Sequence, residues 1–437
     1  MSRTTEASLT VAGFDQELMR LVCRHSLFWL AAANIVGVGL SLLLARPEWG
    51  AILGEYTYGR WMPLHLNWQL YGWCALPCVG LLLRKYLIPG PAALAQARAA
   101  LQMWSLTLAF GGFGWLNGRT SGKLFLDWMG WPRVMLVATL GSLWAILAWN
   151  YWKPARQGEL APATRNLGKT AALLALAIIP GVLFWATQRR VYPAIDPGTG
   201  GPTGSSLLGS TLAIVLILAL TPKALGLPRK RDAREAWFWL LFATNFIFFL
   251  TLNHANSSHR DWRQITGLGS LLIWAPVLAH YLTRFVWAPR SRLWLAATIV
   301  WWALLVASGF SAFLPGVLDD LKFTHGLVAH AHLAMGGLLM SYNMLLLLNL
   351  SVGVAPVSGS VSGCAAFIFW QTALALHLAV LMGIAREEIE HPGAFFAGGA
   401  GWLYWMRFVA GAAMAAVSIR WAWRARLRES SGVIRHA

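Results

Sequence analysis

Long apolar runs are the feature that most constrains this chain. Twelve segments are almost wholly apolar over the roughly 20 residues that an α-helix needs to cross the hydrocarbon core of a bilayer. A soluble domain does not need such segments, because its surface helices keep one polar face. The runs are 26–45, 61–83, 99–117, 132–152, 170–187, 206–222, 236–253, 264–286, 293–314, 325–349, 363–385 and 401–423. They predict an all-α polytopic membrane bundle of about twelve transmembrane helices.

The distribution of charge predicts the orientation of this bundle. Charged residues make up 12% of the chain, and the formal net charge is +18. With the N-terminus inside, most of the 35 Lys and Arg residues fall on inner loops, such as 223–234. The positive-inside rule then places both termini in the cytoplasm. The net charge is therefore a topology signal, so we expect membrane lipid as a partner and no nucleic acid.

The chain is predicted to be one domain, residues 1–437, because it contains no repeat and no low-complexity tract. The Gly/Pro/Ser-rich stretch 197–206 predicts a flexible outer loop, and the acidic stretch 387–391 a solvated one. The 26 Trp residues outnumber the 9 Tyr residues, which favours positions at the two membrane–water interfaces.

Most of the 11 histidines fall toward the predicted outer side of the membrane. His65 lies about one turn into the second span, and His330 and His332 lie early in the tenth. An ionisable side chain inside a span is costly and usually has a functional partner. Residues two apart on an α-helix point about 200° apart, so His330 and His332 cannot share one metal. His377, in the eleventh span, is predicted to be an isolated, packed histidine.

A haem with two histidine ligands is one interpretation of His65 and His332, because imidazole is a common axial ligand. Buried histidines that only form hydrogen bonds are the alternative. Small residues around the pair would leave room for a flat macrocycle, or would simply let helices pack closely. These small residues are Ala329, Ala331, Ala334, Gly336 and Gly337.

Two motifs resemble subunit I of the haem-copper oxidase superfamily. Residues 58–65 (YGRWMPLH) resemble the Gly-Arg-x-x-Pro-Leu-His pattern at the start of the family's second span. Residues 323–332 (FTHGLVAHAH) resemble its tenth span, which carries a His-x-His pair. The resemblance is closest to the C-type (cbb-type) cytochrome c oxidases and the nitric oxide reductase large subunit. These families also have twelve spans and both termini in the cytoplasm.

The resemblance implies a set of roles. His65 and His332 would be the axial ligands of a low-spin haem b, and His330 the ligand of a second, high-spin haem where O2 or NO is reduced. Arg60 and Arg407 would pair with haem propionates. The chain would then be a haem-binding subunit of a respiratory terminal oxidase in a bacterial inner membrane. A c-type cytochrome or another subunit would donate the electrons.

The chain departs from the family where copper ligands are expected. The sixth span has no histidine, and the seventh ends without a His-His pair. His254 and His259 are interpreted as solvated loop histidines, with displaced metal ligands as the alternative. Copper and catalysis are therefore in doubt. A paralogue without the haem-copper centre, which transfers electrons or handles gas or haem, is one alternative function. A twelve-span transporter is a more remote one.

Overall fold

The computed structural model describes residues 11–156, 167–230, 235–351, 363–393 and 401–433. Within these ranges the chain is helical, and its only β pairing consists of two isolated bridges. The all-α prediction is confirmed for this part of the chain.

Twelve long helices lie within the described ranges, and each overlaps one predicted span. They are α1 (Val11–Ala45), α2 (58–86), α3 (Pro91–Leu116), α4 (Trp131–Arg156), α5 (Leu167–Ala186), α6 (Gly204–Leu225), α7 (Ala236–Thr251), α8 (Trp262–Thr283), α9 (Arg292–Phe313), α10 (His325–Leu350), α11 (Cys364–Glu390) and α12 (Gly401–Val433). A short helix, Val317–Leu321, precedes α10.

Nine of these helices are long and apolar enough to cross a membrane, counting only the described residues. The other three are α2, α3 and α7, of which α7 has only 16 residues. The chain is therefore an integral membrane protein, while the number of crossings stays a prediction. The ends of the chain, 1–10 and 434–437, lie outside the described residues, so the cytoplasmic location of the termini also stays a prediction.

The helices group into two compact units. Unit 1 contains α1 to α5 and the end of α12, and unit 2 contains α6 to α11 and the start of α12. The prediction of a single domain over 1–437 is untested by this grouping and stays a prediction.

In unit 1, α1 packs closely against α2 because glycines of α2 meet large side chains of α1. A Cβ added at Gly72 would lie 2.5 Å from Cβ of Trp29, and one at Gly80 would lie 2.6 Å from Val22. Small residues allow such close backbone approach between helices in membranes. The separation of α1 and α2 therefore depends on these glycines.

Many tryptophans are buried within the protein, and their position relative to the membrane–water interfaces stays a prediction. Trp73, Trp115, Trp128, Trp274, Trp294, Trp302 and Trp421 are fully buried. Several indole N–H groups donate to backbone carbonyls of other segments, as Trp302 does to Trp274 at 2.7 Å and Trp144 to Leu173 at 2.9 Å. A buried indole needs such an acceptor, and here it links neighbouring helices.

Replacing Gly72 with Ala should destabilise unit 1. The new methyl group would meet Cβ of Trp29, close to the α1 backbone, so one helix must move. Such overpacking costs about 1–3 kcal/mol. We expect a lower melting temperature for the purified protein in detergent.

Gly141→Ala is the matched control, because no atom lies within 4 Å of a Cβ added at Gly141. Glycine in a helix interior is less favourable than alanine by about 0.5–1 kcal/mol, so this variant should be as stable as the wild type or more so. Equal melting temperatures for the two variants would contradict the predicted overpacking.

Candidate functional site

His65 is held against α1 by a hydrogen bond and a glycine. Its Nδ1 lies 2.8 Å from the carbonyl oxygen of Ala33. A carbonyl can only accept, so the proton is on Nδ1 and the neutral ring would bind a metal through Nε2. A Cβ added at Gly37 would lie 2.6 Å from Cε1 of His65, so only glycine lets the ring lie here undisturbed. The tautomer and the position of the ring are both fixed locally.

His330 and His332 contact different helices, as their separation along α10 predicts. Nδ1 of His330 is 3.1 Å from Oγ of Ser308 on α9. The ring of His332 lies against that of His377 on α11, with the centroids 4.8 Å apart. Nδ1 of His332 donates to the carbonyl oxygen of Val328 at 2.8 Å. His332 is therefore the same tautomer as His65.

The two helices that carry the motif histidines share an irregularity that the sequence analysis missed. A π-helical turn, Trp68–Cys74, begins three residues after His65, and another, Leu333–Leu339, begins directly after His332. No other π-helical turn occurs among the described residues. Such turns are rare and are frequent at functional sites. The glycines at 72, 336 and 337 are the only sequence signal for them.

Each π-helical turn is supported by an indole from a neighbouring helix. In unit 1, Trp104 donates to the carbonyl oxygen of Tyr71 at 2.8 Å. In unit 2, Trp370 donates to the carbonyl oxygen of Gly336 at 3.1 Å. A π-helical turn replaces the regular hydrogen bonds of an α-helix with i→i+5 bonds, and in both turns an external indole adds a donor to a carbonyl within the turn.

The glycines after His332 are positions of close helix packing. A Cβ at Gly337 would lie 2.8 Å from the ring of Trp301 on α9, and one at Gly336 would lie 3.0 Å from Leu374 on α11. The small residues were interpreted either as room for a flat macrocycle or as positions of close helix packing, and the contacts of Gly336 and Gly337 favour close packing.

Arg60 is bound to the end of α3 in unit 1. Its Nη1 donates to the carbonyl oxygen of Leu116 at 3.2 Å and lies 3.6 Å from the exposed carboxylate of Glu55. A cation is favourable at the C-terminus of a helix. These contacts account for Arg60 locally, and its role toward a propionate stays a prediction.

Arg407 belongs to a chain of polar side chains in unit 2. Its Nη1 donates to Nε2 of His325 at 2.8 Å, and Nδ1 of His325 donates to Glu388 at 2.6 Å. Arg407 is 7% exposed, and the nearby carboxylate supplies the anion that a buried guanidinium needs. The solvated loop predicted at 387–391 is therefore wrong for Glu388, which lies in α11 and is half-buried. A propionate partner for Arg407 stays a prediction.

His259 is not a solvated loop histidine. It is 3% exposed, and its Nδ1 lies 2.6 Å from the carboxylate of Asp196, which is fully buried. Its Nε2 lies 3.7 Å from Asp319. His254 is exposed, as predicted. Asp196 is the signal that the sequence analysis missed, because it lies 63 residues away from His259 along the chain.

Asp196 also organises the stretch that was predicted to be a flexible loop. Its carboxylate accepts hydrogen bonds from the amide of Gly198 and the hydroxyl of Thr199, at 2.9 and 2.8 Å. The rest of the stretch begins α6, with Thr203 as its N-cap. Burial raises the pKa of Asp196, but the hydrogen bonds from Gly198, Thr199 and His259 outweigh it, so the pKa lies below its usual value.

No group of three His, Cys, Asp or Glu side chains among the described residues is arranged to hold a metal ion. A haem needs only one or two axial ligands from the protein, so this finding leaves haem ligation open. His377 was predicted to be isolated, and that prediction is wrong because its ring contacts His332.

The fold is similar to that of a chain in the cryo-EM structure of a heme-copper terminal oxidase dimer. The match has a TM-score of 0.50 and 12% sequence identity, and it covers 93% of this chain and 83% of the oxidase chain. No family model and no curated protein matches the sequence. At this identity the likeness shows a shared fold. The fold implied by the two motifs is supported, and the C-type or nitric oxide reductase subtype stays a prediction.

The folded protein should become less stable at low pH because the Asp196 carboxylate becomes protonated. Because its pKa is lowered in the folded protein, its contribution is full above its unfolded pKa of about 3.9 and is lost as the pH falls through the folded pKa. Asp196→Asn should lower the free energy of unfolding by about 1.5–3 kcal/mol at pH 7, the range for hydrogen bonds to a charged group. We expect the difference in melting temperature between wild type and variant to shrink from pH 7 to pH 3.

Glu48→Gln is the control for this pH series. Glu48 is exposed and its carboxylate lies 3.5 Å from Arg46, and such surface pairs contribute about 0–1 kcal/mol. Parallel melting curves for wild type and Asp196→Asn across the pH range would show that the Asp196 carboxylate is not the titrating group.

Proposed function

We propose that the chain is a haem-binding membrane subunit of a respiratory complex of the terminal oxidase type. His65 and His332 would be the two axial ligands of a low-spin haem b. One observation carries the proposal: the two π-helical turns among the described residues begin three residues after His65 and directly after His332. The motif resemblance and the oxidase-like fold point in the same direction.

The local chemistry of both histidines fits an axial ligand. In each, Nδ1–H donates to a backbone carbonyl, at 2.8 Å in both cases. Metal-binding histidines commonly donate their other ring N–H in this way, which fixes the tautomer and the ring orientation.

A bound haem would supply one-electron chemistry at this position. Because both axial positions would be taken by imidazole, the site would transfer electrons and bind no gas. His65 and His332 would hold the iron, and the carbonyls of Ala33 and Val328 would keep each ligand neutral and correctly oriented. Arg60 and Arg407 are the guanidinium groups that would pair with propionates.

Catalysis would depend on His330. In the version of the proposal with catalysis, His330 would hold a second, high-spin haem, which would supply the chemistry for reducing O2 or NO. Oγ of Ser308 lies 3.1 Å from Nδ1 of His330 and can accept a hydrogen bond from the ring, which would leave Nε2 of His330 free to bind a metal. A c-type cytochrome or another subunit would be the electron donor.

A second candidate function is electron transfer, or gas or haem handling, without a reaction centre. The contacts of the histidines outside the motifs favour it. His259 is engaged with Asp196, His254 is exposed, and α6 contains no histidine. In addition, a Cβ added at Gly309 would lie 3.1 Å from Cε1 of His330, so α9 lies close against that ring.

A reduced-minus-oxidised spectrum of the purified protein, repeated with CO, tests the proposal. We expect the bands of a six-coordinate haem b, which are lost in His65→Ala and His332→Ala and kept in His254→Ala, an exposed control. A five-coordinate haem on His330 would bind CO, and His330→Ala would abolish only that response. A haem b spectrum that CO does not change would favour the second candidate. A folded protein without haem would overturn the proposal and favour a transporter.

Two glycines on α1 give a finer test. Gly37→Ala should displace the ring of His65, because the new methyl group would lie 2.6 Å from Cε1, and should lower haem content or shift the Soret band. Gly39→Ala is the control, since nothing lies within 4 Å of a Cβ there. Equal haem content and spectra in both variants would argue against His65 as a ligand.

A further inference from the structure

His377 is a buried imidazole in a helix long and apolar enough to span the membrane. It lies in α11 and is 4% exposed. Its ring lies against the ring of His332, with the centroids 4.8 Å apart and the planes tilted by 47°. Ionisable side chains at membrane depth are costly and are kept mainly where they serve a function.

The contact between the two rings is part of a continuous face of α11. Trp370, Leu374 and His377 are spaced four and three residues apart, so they lie on one side of the helix. Trp370 donates to the carbonyl oxygen of Gly336. Leu374 packs against the same glycine, since a Cβ added at Gly336 would lie 3.0 Å from its side chain. His377 meets His332 one turn earlier on α10. One face of α11 therefore covers both His332 and the π-helical turn that follows it.

We propose that His377 is a positioning residue that sets the plane of the His332 imidazole. The hydrogen bond from Nδ1 of His332 to Val328 fixes the tautomer but still permits the ring to rock about that bond. The ring of His377 packs against the ring of His332 and restricts this rocking motion. The proposal rests on the proposed function, because the plane of His332 matters for an iron that it ligates. Residues that orient a ligand in this way tune the metal that it holds.

The orientation of an axial imidazole is visible in the electronic structure of the iron. The ring plane determines how the imidazole π orbitals overlap with the iron d orbitals, and this overlap contributes to the g values and the reduction potential of a bis-histidine haem. Hydrogen bonds to the ligands and the burial of the site also affect the reduction potential. Removing the ring of His377 should therefore change spectroscopic properties without removing a ligand.

The test uses the full-length protein and the variants His377→Ala and His377→Phe. Haem content and the six-coordinate optical spectrum should survive in both. In His377→Ala we expect a shift of the largest g value in the EPR spectrum of the oxidised protein, and a shift of the midpoint potential. His377→Phe keeps a flat ring in contact with His332, so both quantities should return toward the wild-type values.

Leu374→Ala is the matched control. Leu374 lies on the same face of α11 but meets Gly336 and not His332. This variant should lower the melting temperature, as removal of a buried leucine side chain typically costs about 2–5 kcal/mol. Its g values should stay unchanged.

The outcomes separate this proposal from the proposed function. The wild-type spectrum tests whether haem is bound, and the EPR spectra of the variants test His377. Haem-loaded His377→Ala with wild-type g values and potential would overturn the positioning role while leaving the proposed function intact. If His377→Ala does not retain haem, wild-type g values in His377→Phe support the role of the ring and altered values overturn it. A protein that binds a metal ion through His332 and His377 and contains no haem would overturn both.

Discussion

Backbone polar groups inside a bilayer must find partners within the protein, and the site depends on how this chain meets that requirement. Regular α-helices meet it internally, but the two π-helical turns are irregular. Trp104 in unit 1 and Trp370 in unit 2 each donate to a carbonyl within such a turn. These indoles stabilise the irregular segments that follow His65 and His332. Side-chain donors from neighbouring helices therefore allow each motif histidine to precede a wider turn.

The same requirement governs the charged side chains. Arg407 is buried, and the carboxylate of Glu388 balances its positive charge. His325 connects the two, because it accepts a hydrogen bond from Arg407 and donates one to Glu388. Asp196 is buried as well, and hydrogen bonds from Gly198, Thr199 and His259 stabilise its charge. In both clusters a histidine contacts a carboxylate, and its tautomer follows from that contact. His259 and His325 therefore stabilise carboxylates, whereas Nδ1 of His65, His330 and His332 contacts a carbonyl or hydroxyl oxygen.

The sequence predicts the helices well because hydropathy is a local property of the chain. Each predicted span overlaps one helix, and the ends differ by a few residues except at α1, α3 and α12, which extend beyond the apolar runs. The sequence does not predict contacts between residues that lie far apart along the chain. From the sequence alone His259 is predicted to be a loop histidine, but in the structure it contacts Asp196. His377 is predicted to be isolated, but its ring contacts that of His332. The π-helical turns change the register of a helix, and hydropathy does not report register.

Besides the histidines outside the motifs, one contact between helices distinguishes the two proposed functions. His332 and His330 lie on the same two turns of α10, so the sequence of α10 is compatible with both functions. On one side, α11 covers His332 with a histidine and a tryptophan bonded to the π-helical turn. On the other side, α9 approaches His330 at Gly309, which has no side chain to separate the helices. A gas-binding haem on His330 would have to occupy space beside that ring. A second haem on His330 would therefore require α9 and α10 to lie further apart at Gly309.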